Sequence, residues 1–373
     1  MPTYHDLRTT DDLEERDYAQ VFPGLDENAR KRIIDGVLRL KGALHVELPP
    51  RRTDGNLLFA SWNIREFGHL TGRLPEAYHW IAEVISHFDL VAIQEVKRTL
   101  KDLDILMRLL GPHWGYMMTD ITGGPAGNKE RSVYLYDKRR VQLSGLSGEV
   151  AAWPELRAEL AFESARPPEQ LSRAPHVTGF ITGWKRFSLV NVHLAPGDGS
   201  EDVRYRRDEV RLLLSALAEA RDDMWTENLI LVGDMNLYAA RDGDTVALLE
   251  SDGYVEPQAL LGLPTNAAGT EIYDRMFLSS NEYFRLGTRS NGAPSGGTLD
   301  LFAHVFRDAD KPSYRDAVIS DYGGSRDIAG DEDVFDSYWR VHWRTRQLSD
   351  HLPIWIELET DDSVAFLTSK RPV

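Results

Sequence analysis

Eight apolar segments, each long enough for one β-strand, recur between positions 56 and 358 and alternate with helical patterns. Their sequences are NLLFASW, DLVAIQEV, SVYLYD, VTGFITGW, FSLVNVHL, NLILVGD, RMFLS and LPIWIEL. Several are apolar almost throughout, which is typical of strands covered on both faces. The helical patterns lie near positions 75–87, 102–110 and 203–220. The predicted fold class is therefore α/β: a four-layer sandwich of two stacked mixed sheets with helices outside.

The same pattern suggests how the 373 residues are divided. We expect one main domain at residues 57–360, preceded by a helical extension at 1–56 and followed by a tail at 361–373. Within the extension, an amphipathic helix is predicted around residues 29–40. Residues 305–347 are polar, contain glycine and are only weakly periodic, so we interpret them as a surface insertion.

Composition excludes several classes of protein. With 43 basic and 59 acidic side chains the formal charge is −16, so a polyanionic partner would need a local basic patch or bound cations. The chain has no cysteine, which excludes disulfides, thiolate metal sites and cysteine nucleophiles. The N-terminus lacks an apolar signal core and the apolar runs are strand-sized. We therefore expect a cytoplasmic protein without a membrane span.

Polar side chains follow several of the predicted strands at the point where each strand ends. They are Asn63, Glu95, His193, Asp234 and Asn236, and Asp350 and His351 directly precede the last strand. Each alone also fits an ordinary turn or a hydrogen-bonded core residue. As a set they indicate a functional site at one rim of the sheets, where α/β folds usually place it.

Oxygen ligands without cysteine favour a hard cation at that rim. Asn63, Glu95 and Asp350 are predicted to bind Mg²⁺ or Mn²⁺, whereas zinc would require more nitrogen or sulfur ligands. A hard cation beside histidines and amides suits phosphate ester hydrolysis. The chain contains no GxxxxGK[ST] motif, so nucleotide triphosphate hydrolysis of the P-loop type is not expected.

Nine segments, in order across residues 57–358, resemble the endonuclease/exonuclease/phosphatase superfamily, and within it the deoxyribonuclease I branch. They are FASWNIREFG, LVAIQEVK, NKERSVYLYDKRRV, SRAPHVTGF, NVHLAPGDG, LVGDMNLY, PTNAAGTEIYDRMFL, GTLDLFAHVF and LSDHLPIWIEL. GDMN together with SDHLP points to the superfamily, and WNIREFG, KERSVYLYD and SRAP point to the branch. The resemblance implies a divalent-metal phosphodiesterase on the four-layer sandwich.

The resemblance also implies roles for individual residues. His351, oriented by Asp274, corresponds to the base-side histidine, and His193, oriented by Glu130, corresponds to the acid-side partner. Asp234 and Asn236 would hold the attacking water and a phosphoryl oxygen, although Asp234 itself is the base in an alternative assignment. Arg65, Arg173 and Lys97 would contact the phosphates of the substrate.

Some positions depart from the branch pattern. Asn128 stands where a groove-binding tyrosine is expected, and Lys97 stands where the pattern has an arginine. Lys97, Arg98 and Lys101 could still follow a phosphate backbone. The calcium-binding acidic loops of the branch are not recognisable, so structural Ca²⁺ is not expected.

The sequence thus predicts a Mg²⁺- or Mn²⁺-dependent nuclease, a DNA endonuclease using in-line water attack and a two-histidine acid/base pair. Its partner would be a nucleic acid substrate, without a membrane or an obligate protein partner. Two alternatives stay open: a phosphoinositide or sphingomyelin phosphoesterase of the same superfamily, and an inactive binding protein on this fold. Retention of both histidines and Glu95 argues against the inactive protein.

Overall fold

Two β-sheets packed face to face form the centre of the molecule in a computed structural model, which describes residues 2–8, 20–68, 72–122, 128–221 and 226–371. The first sheet contains, in spatial order, β10 (Gly296–Thr298), β11 (Ile354–Glu359), β1 (Asn56–Phe67), β2 (Leu90–Lys97), β4 (Glu130–Asp137) and β3 (Trp114–Met118). The second sheet contains β5 (Gln142–Glu149), β6 (His176–Thr182), β7 (Lys185–His193), β8 (Leu229–Asp234) and β9 (Asp274–Ser279). Strands β1 and β2 pair in parallel, as do β7 and β8, whereas the other paired strands are antiparallel.

Strand β1 shows why its sequence is apolar on both faces. Leu57 and Phe59 point into the core between the two sheets, where they meet residues of β7 and β8. Leu58, Ala60 and Trp62 point the other way, into a core that the first sheet shares with helices. Side chains of a strand alternate between its faces, so a strand covered on both sides must be apolar at successive positions.

Helices cover the outer face of each sheet. They are α1 (Glu27–Glu47), α2 (Pro75–Ser86), α3 (Lys101–Leu110), α4 (Pro154–Ala158), α5 (Ser200–Ala220), α6 (Gly243–Ser251), α7 (Lys311–Asp321), α8 (Glu332–Tyr338), α9 (Arg344–Gln347) and α10 (Ser363–Lys370). The first three share a core with the first sheet, and α5 and α6 share a core with the second. The predicted four-layer α/β sandwich is confirmed.

Helix α1 belongs to the predicted N-terminal extension and packs closely on α2. Its N-cap Asp26 accepts a hydrogen bond from the Ala29 amide (2.7 Å), as is typical of a helix start. Trp80 of α2 donates its indole N–H to the Ile33 carbonyl (3.2 Å). A Cβ at Gly36 would lie only 2.3 Å from the Trp80 ring nitrogen, so the approach of the two helices requires glycine at this position.

Residues 305–347, expected as a surface insertion, form a short 3-10 helix at Asp308–Asp310, three α-helices and a five-residue π-helical turn at Trp339–Trp343. Phe306, Tyr314, Trp339 and Trp343 are buried in the core that the first sheet shares with α1 and α2. The rings of Trp339 and Trp343 stack at 5.2 Å between centroids. The segment therefore contributes a packed helical layer on the side of the first sheet.

Some residues near both ends of the chain lie outside the described ranges. Part of the expected extension, residues 1 and 9–19, and residues 372–373 of the expected tail lie outside the described residues. In the described part of the chain, no helix combines the length and apolar character that crossing a bilayer requires.

Candidate active site

The ends of β1 and β2 leave regular strand geometry where the first site residues stand. Their parallel pairing shifts register between Asn63 and Phe67. Within this bulge Glu66 and Glu95 adopt left-handed φ angles of 44° and 62°, which cost a non-glycine residue roughly 1–3 kcal/mol. The Glu66 amide donates to the Glu95 carboxylate (2.8 Å), and the Asn63 amide group donates to its other oxygen (3.1 Å). The bulge thus fixes the Glu95 carboxylate beside Asn63.

Three further site residues form a row across the second sheet. The pairing register sets His193 of β7 opposite Asp234 of β8, and Asp234 opposite Asp274 of β9. All three side chains are buried, with exposed fractions of 7% for His193 and 2% for each aspartate. Residues at the same level of adjacent strands are close neighbours, so strand pairing alone brings these groups together.

The Asp234 carboxylate lies at the centre of the site. Its Oδ2 accepts a hydrogen bond from Asn63 Nδ2 (2.9 Å) and lies 3.3 Å from His193 Nε2 and 3.8 Å from His351 Nε2. Its Oδ1 accepts from the Asn236 amide (3.0 Å). Burial would raise the pKa of Asp234, but the charge of His351 and the hydrogen bond from His193 hold it well below its usual range. Asp234 is therefore ionised at neutral pH.

His193 is paired with a second carboxylate on its other ring nitrogen. Its Nδ1 lies 3.1 Å from Glu130 Oε2. Burial and the nearby Arg173 charge would lower the pKa of His193, but hydrogen bonds to Asp234 and Glu130 outweigh them and raise it to about 9. Burial would raise the pKa of Glu130, yet its hydrogen bond with His193 and the neighbouring cations lower it to about 2. His193 is thus held as an imidazolium between two carboxylates.

Glu130 also binds two of the cations that were expected to contact substrate phosphates. Lys97 Nζ donates to its Oε1 (2.8 Å), and Arg173 Nε donates to its Oε2 (3.0 Å). Arg173 also donates to the Leu194 carbonyl (3.2 Å). Lys97 is only 6% exposed, so it lies in a buried ion pair with Glu130. Contact of Lys97 or Arg173 with a substrate phosphate stays a prediction.

The His351 imidazole is paired with the Asp274 carboxylate. The distance from His351 Nδ1 to Asp274 Oδ2 is 2.8 Å, and the Asp274 amide donates to Thr265 Oγ1 (3.0 Å). Burial would lower the pKa of His351, but the charges of Asp274 and Asp234 raise it well above its usual value. The ring of Tyr273 lies 5.7 Å from the His351 ring and forms one side of the opening to it.

Ser349 is a site residue that the sequence analysis did not identify. Its buried hydroxyl donates to the Asn63 carbonyl (2.6 Å) and accepts from the amides of Arg65 (3.2 Å) and His351 (3.1 Å). This one side chain therefore joins the end of β1 to the loop that carries His351. Its position in the LSDHLP segment was the available signal, because that segment already carried Asp350 and His351.

Arg65 and Asp350 lie at the more exposed side of the site. Arg65 Nη1 donates to Thr345 Oγ1 (3.2 Å) and lies 3.6 Å from Asp350 Oδ2. The exposed fractions of these side chains are 33% for Arg65 and 46% for Asp350. Arg65 is thus accessible to an anion. Asp350 pairs with Arg65, and it lies outside the close group formed by the ligand atoms of Glu95, His193 and Asp234.

The donor set at the centre fits a divalent cation. Ligand atoms of Glu95, His193 and Asp234 lie within 4.8 Å of one another. Asn63 turns its NH₂ group to the two carboxylates, which leaves its buried Oδ1 without a hydrogen-bond partner among the described residues. A buried carbonyl oxygen without a partner is costly unless something fills that place. Carboxylate and amide oxygens are the ligands preferred by Mg²⁺ and Mn²⁺.

Comparison with known proteins finds that the chain is similar in sequence to deoxyribonucleases. No family model matches the chain. The chain is 25% identical over 249 residues to a deoxyribonuclease of Thioalkalivibrio sp. (strain K90mix). The aligned region covers 65% of this chain and 64% of that protein. It is 24% identical over 214 residues to deoxyribonuclease-1 of Sus scrofa, covering 55% of this chain and 66% of the relative. The matches thus span a little under two thirds of the length of these relatives.

A solved structure shows the same architecture. An endonuclease/exonuclease/phosphatase family protein from Bacteroides thetaiotaomicron superposes with a TM-score of 0.50 at 16% identity, over 82% of this chain and 98% of that chain. The chain therefore has the fold of the endonuclease/exonuclease/phosphatase superfamily, and its sequence similarity lies with the deoxyribonucleases. The resemblance recognised in the sequence motifs is confirmed.

Proposed function

We propose that this protein is a divalent-metal-dependent phosphodiesterase, a nuclease that cuts DNA internally. The observation that carries the proposal is the convergence of His193 and His351 on one ionised carboxylate, Asp234, beside Asn63 and Glu95. This combination supplies a proton donor, a proton acceptor and a hard-cation site within one buried group. The deoxyribonuclease relatives support DNA as the substrate.

Asn63 and Glu95 would hold the cation, which when bound polarises a phosphoryl oxygen and offsets the negative charge that develops there. Asp350, whose side chain is more exposed, would take part in cation binding indirectly, through its ion pair with Arg65 or through a water molecule. His193 supplies a nitrogen donor, which a hard cation prefers less than oxygen. We therefore assign His193 to proton transfer and not to the cation.

The protonation pattern suggests how the protein groups act on the phosphodiester. Water attacks phosphorus in line with the bond that breaks, and Asp234, ionised and held by the Asn236 amide, accepts a proton from it. His193, held protonated by Glu130 and Asp234, donates a proton to the departing oxygen. His351 is the alternative acceptor once it has lost its own proton. Arg65 and Arg173 would bind the remaining phosphoryl oxygens.

A hydrolysis assay tests the proposal directly. Circular DNA has no ends, so its cleavage reports endonuclease action, and bis(4-nitrophenyl) phosphate reports diester hydrolysis without a nucleic acid. With Mg²⁺ or Mn²⁺ we expect both to be cleaved, and His193→Ala and His351→Ala to reduce the rates about 100-fold or more. The matched control is His113→Ala, an exposed histidine elsewhere. Hydrolysis in both active-site variants at the rate of the control would overturn the proposal.

A further inference from the structure

A cavity of about 460 Å³ opens directly beside the candidate active site. It is bordered by Asp350 and His351 on the side of the site. Its other walls come from the loop before β9 and from the π-helical turn that continues into α9. These walls are lined by Asn266, Ala267, Ala268, Tyr273, Arg340, Val341, Arg344 and Thr345.

Hydrogen bonds and backbone pairing join both outer walls of the cavity to the site residues. On one side the Ala267 amide donates to the Asp350 carbonyl (2.7 Å), and Asn266 forms a β-bridge with His351. On the other side Thr345 accepts a hydrogen bond from Arg65 (3.2 Å). The π-helical turn is anchored by Trp339 and Trp343, whose exposed fractions are 0% and 1%. The shape of the cavity is therefore set by the same contacts that position His351 and Arg65.

The lining has two chemical characters. Tyr273, Ala267, Ala268 and Val341 provide aromatic and apolar surface, and Val341 is 57% exposed towards solvent. Arg340 and Arg344 add guanidinium groups on the same wall as Val341, where Arg340 is half exposed and pairs with Asp308. Apolar and aromatic surface beside arginine is the composition that binds a base and its phosphate in single-stranded nucleic acid.

The size of the cavity limits which form of nucleic acid can enter it. A volume of about 460 Å³ lies within the roughly 300–1,000 Å³ of small-molecule sites, which is room for one nucleotide and not for a double helix. A base in an intact duplex is stacked and paired, so it can enter such a site only after leaving the stack, at a cost of a few kcal/mol. That cost is smallest in single strands.

We propose that this cavity takes one unstacked nucleotide next to the phosphodiester that is cut, so that single-stranded DNA is the preferred substrate. The inference rests on the proposed nuclease function. Because residues 339–345 form one wall, the helical segment at 305–347 takes part in substrate selection.

Filling the cavity tests the inference. Val341→Trp and, from the opposite wall, Ala268→Trp place an indole in the space that the nucleotide would occupy. Val364→Trp is the matched control, since Val364 is 75% exposed on α10 and does not line the cavity. The rates measured, with Mn²⁺, are those for a single-stranded oligonucleotide, the same sequence as a duplex, and bis(4-nitrophenyl) phosphate.

We expect the wild-type protein to cut the single strand at least about tenfold faster than the duplex. In the two cavity variants the rate for the single strand, relative to that for the small diester, should fall about tenfold, whereas Val364→Trp should leave this ratio unchanged. Equal cutting of both DNA forms by the wild type, or unchanged ratios in both cavity variants, would overturn the inference alone. Failure to hydrolyse any of the three substrates would overturn the proposed function, and this inference with it.

Discussion

At the scale of single residues, buried hydrogen bonds decide how the reactive groups are held. Ser349 is the clearest case, because its hydroxyl satisfies one carbonyl and two amides that belong to site residues or their neighbours. A hydroxyl has one donor and two acceptor positions, so this side chain uses its full capacity. Its function is to position Asn63, Arg65 and His351 relative to one another.

Ser349→Ala should therefore lower both stability and activity. The three backbone groups lose their partner in a buried place, which should cost about 2 kcal/mol or more. The measurement is the urea midpoint together with the rate of diester hydrolysis. Ser280→Ala, at an exposed position after β9, is the control and should change stability by less than about 0.5 kcal/mol. A variant as stable and active as this control would contradict the positioning role.

Lys97 gives a second prediction at this scale. Because its ammonium group is buried against Glu130, Lys97→Met leaves that carboxylate with fewer charge partners and should destabilise the protein by about 2–4 kcal/mol. Thermal or urea unfolding measures the effect. The control is Lys101→Met, an exposed cation at the start of α3, which should have little effect on stability. Equal stability of the two variants would mean that the Lys97–Glu130 pair contributes nothing to the free energy of unfolding.

At the scale of the elements, strands β5 and β6 carry a buried histidine outside the site. His176 Nε2 is within hydrogen-bond distance of Ser147 Oγ (3.1 Å) and Thr178 Oγ1 (3.0 Å), and its ring lies 4.9 Å from Tyr134. Burial lowers the pKa of His176 from 6.5 to about 4. The neutral form is therefore part of the folded structure of this sheet edge.

The pH dependence follows from the direction of that shift. Above pH 6.5 the histidine is neutral in both states, and its contribution to stability is fully present. As the pH falls from 6.5 towards 4, the unfolded chain binds a proton that the folded protein does not, so stability is lost. At pH 5 the loss from this group should be about 2 kcal/mol.

Urea unfolding at pH 7 and pH 5 measures the effect. In His176→Gln the decrease in stability between the two pH values should be smaller than in the wild type by roughly that amount, since glutamine does not titrate. His113→Gln, at an exposed position, should keep the full decrease. An identical decrease in all three proteins would show that His176 is not held neutral.

The elements also show which parts of the fold the sequence could predict. Strands such as β1 and β8 were recognisable because they are apolar at successive positions and buried on both faces. The segment at 305–347 was not recognisable as core, because α7 buries only Tyr314 and Val318, and α8, the π-helical turn and α9 have only 7, 5 and 4 residues. Windows that short do not establish a helical period. Trp339 and Trp343 lie among charged residues, and only tertiary contacts show that they are buried.

At the scale of the whole molecule, the site exists because two sheets end at the same rim. The first sheet supplies Asn63 and Glu95, the second supplies His193 and Asp234, and the loop before β11 supplies His351. Strand ends were visible in the sequence, which is why most of this set could be predicted. The sequence did not show in which direction long or exposed side chains point. Lys97 points inward to Glu130, and Asp350 points to Arg65.

The proposed function requires that this rim holds a hard dication at which a phosphodiester is cut. A crystal soaked in Mn²⁺ tests it most directly, since the anomalous scattering of manganese locates the ion independently of activity. We predict a peak within about 2.5 Å of Asn63 Oδ1 and of a Glu95 carboxylate oxygen, next to Asp234. A crystal in which manganese binds elsewhere, or leaves this place empty at concentrations that support hydrolysis, would contradict the account.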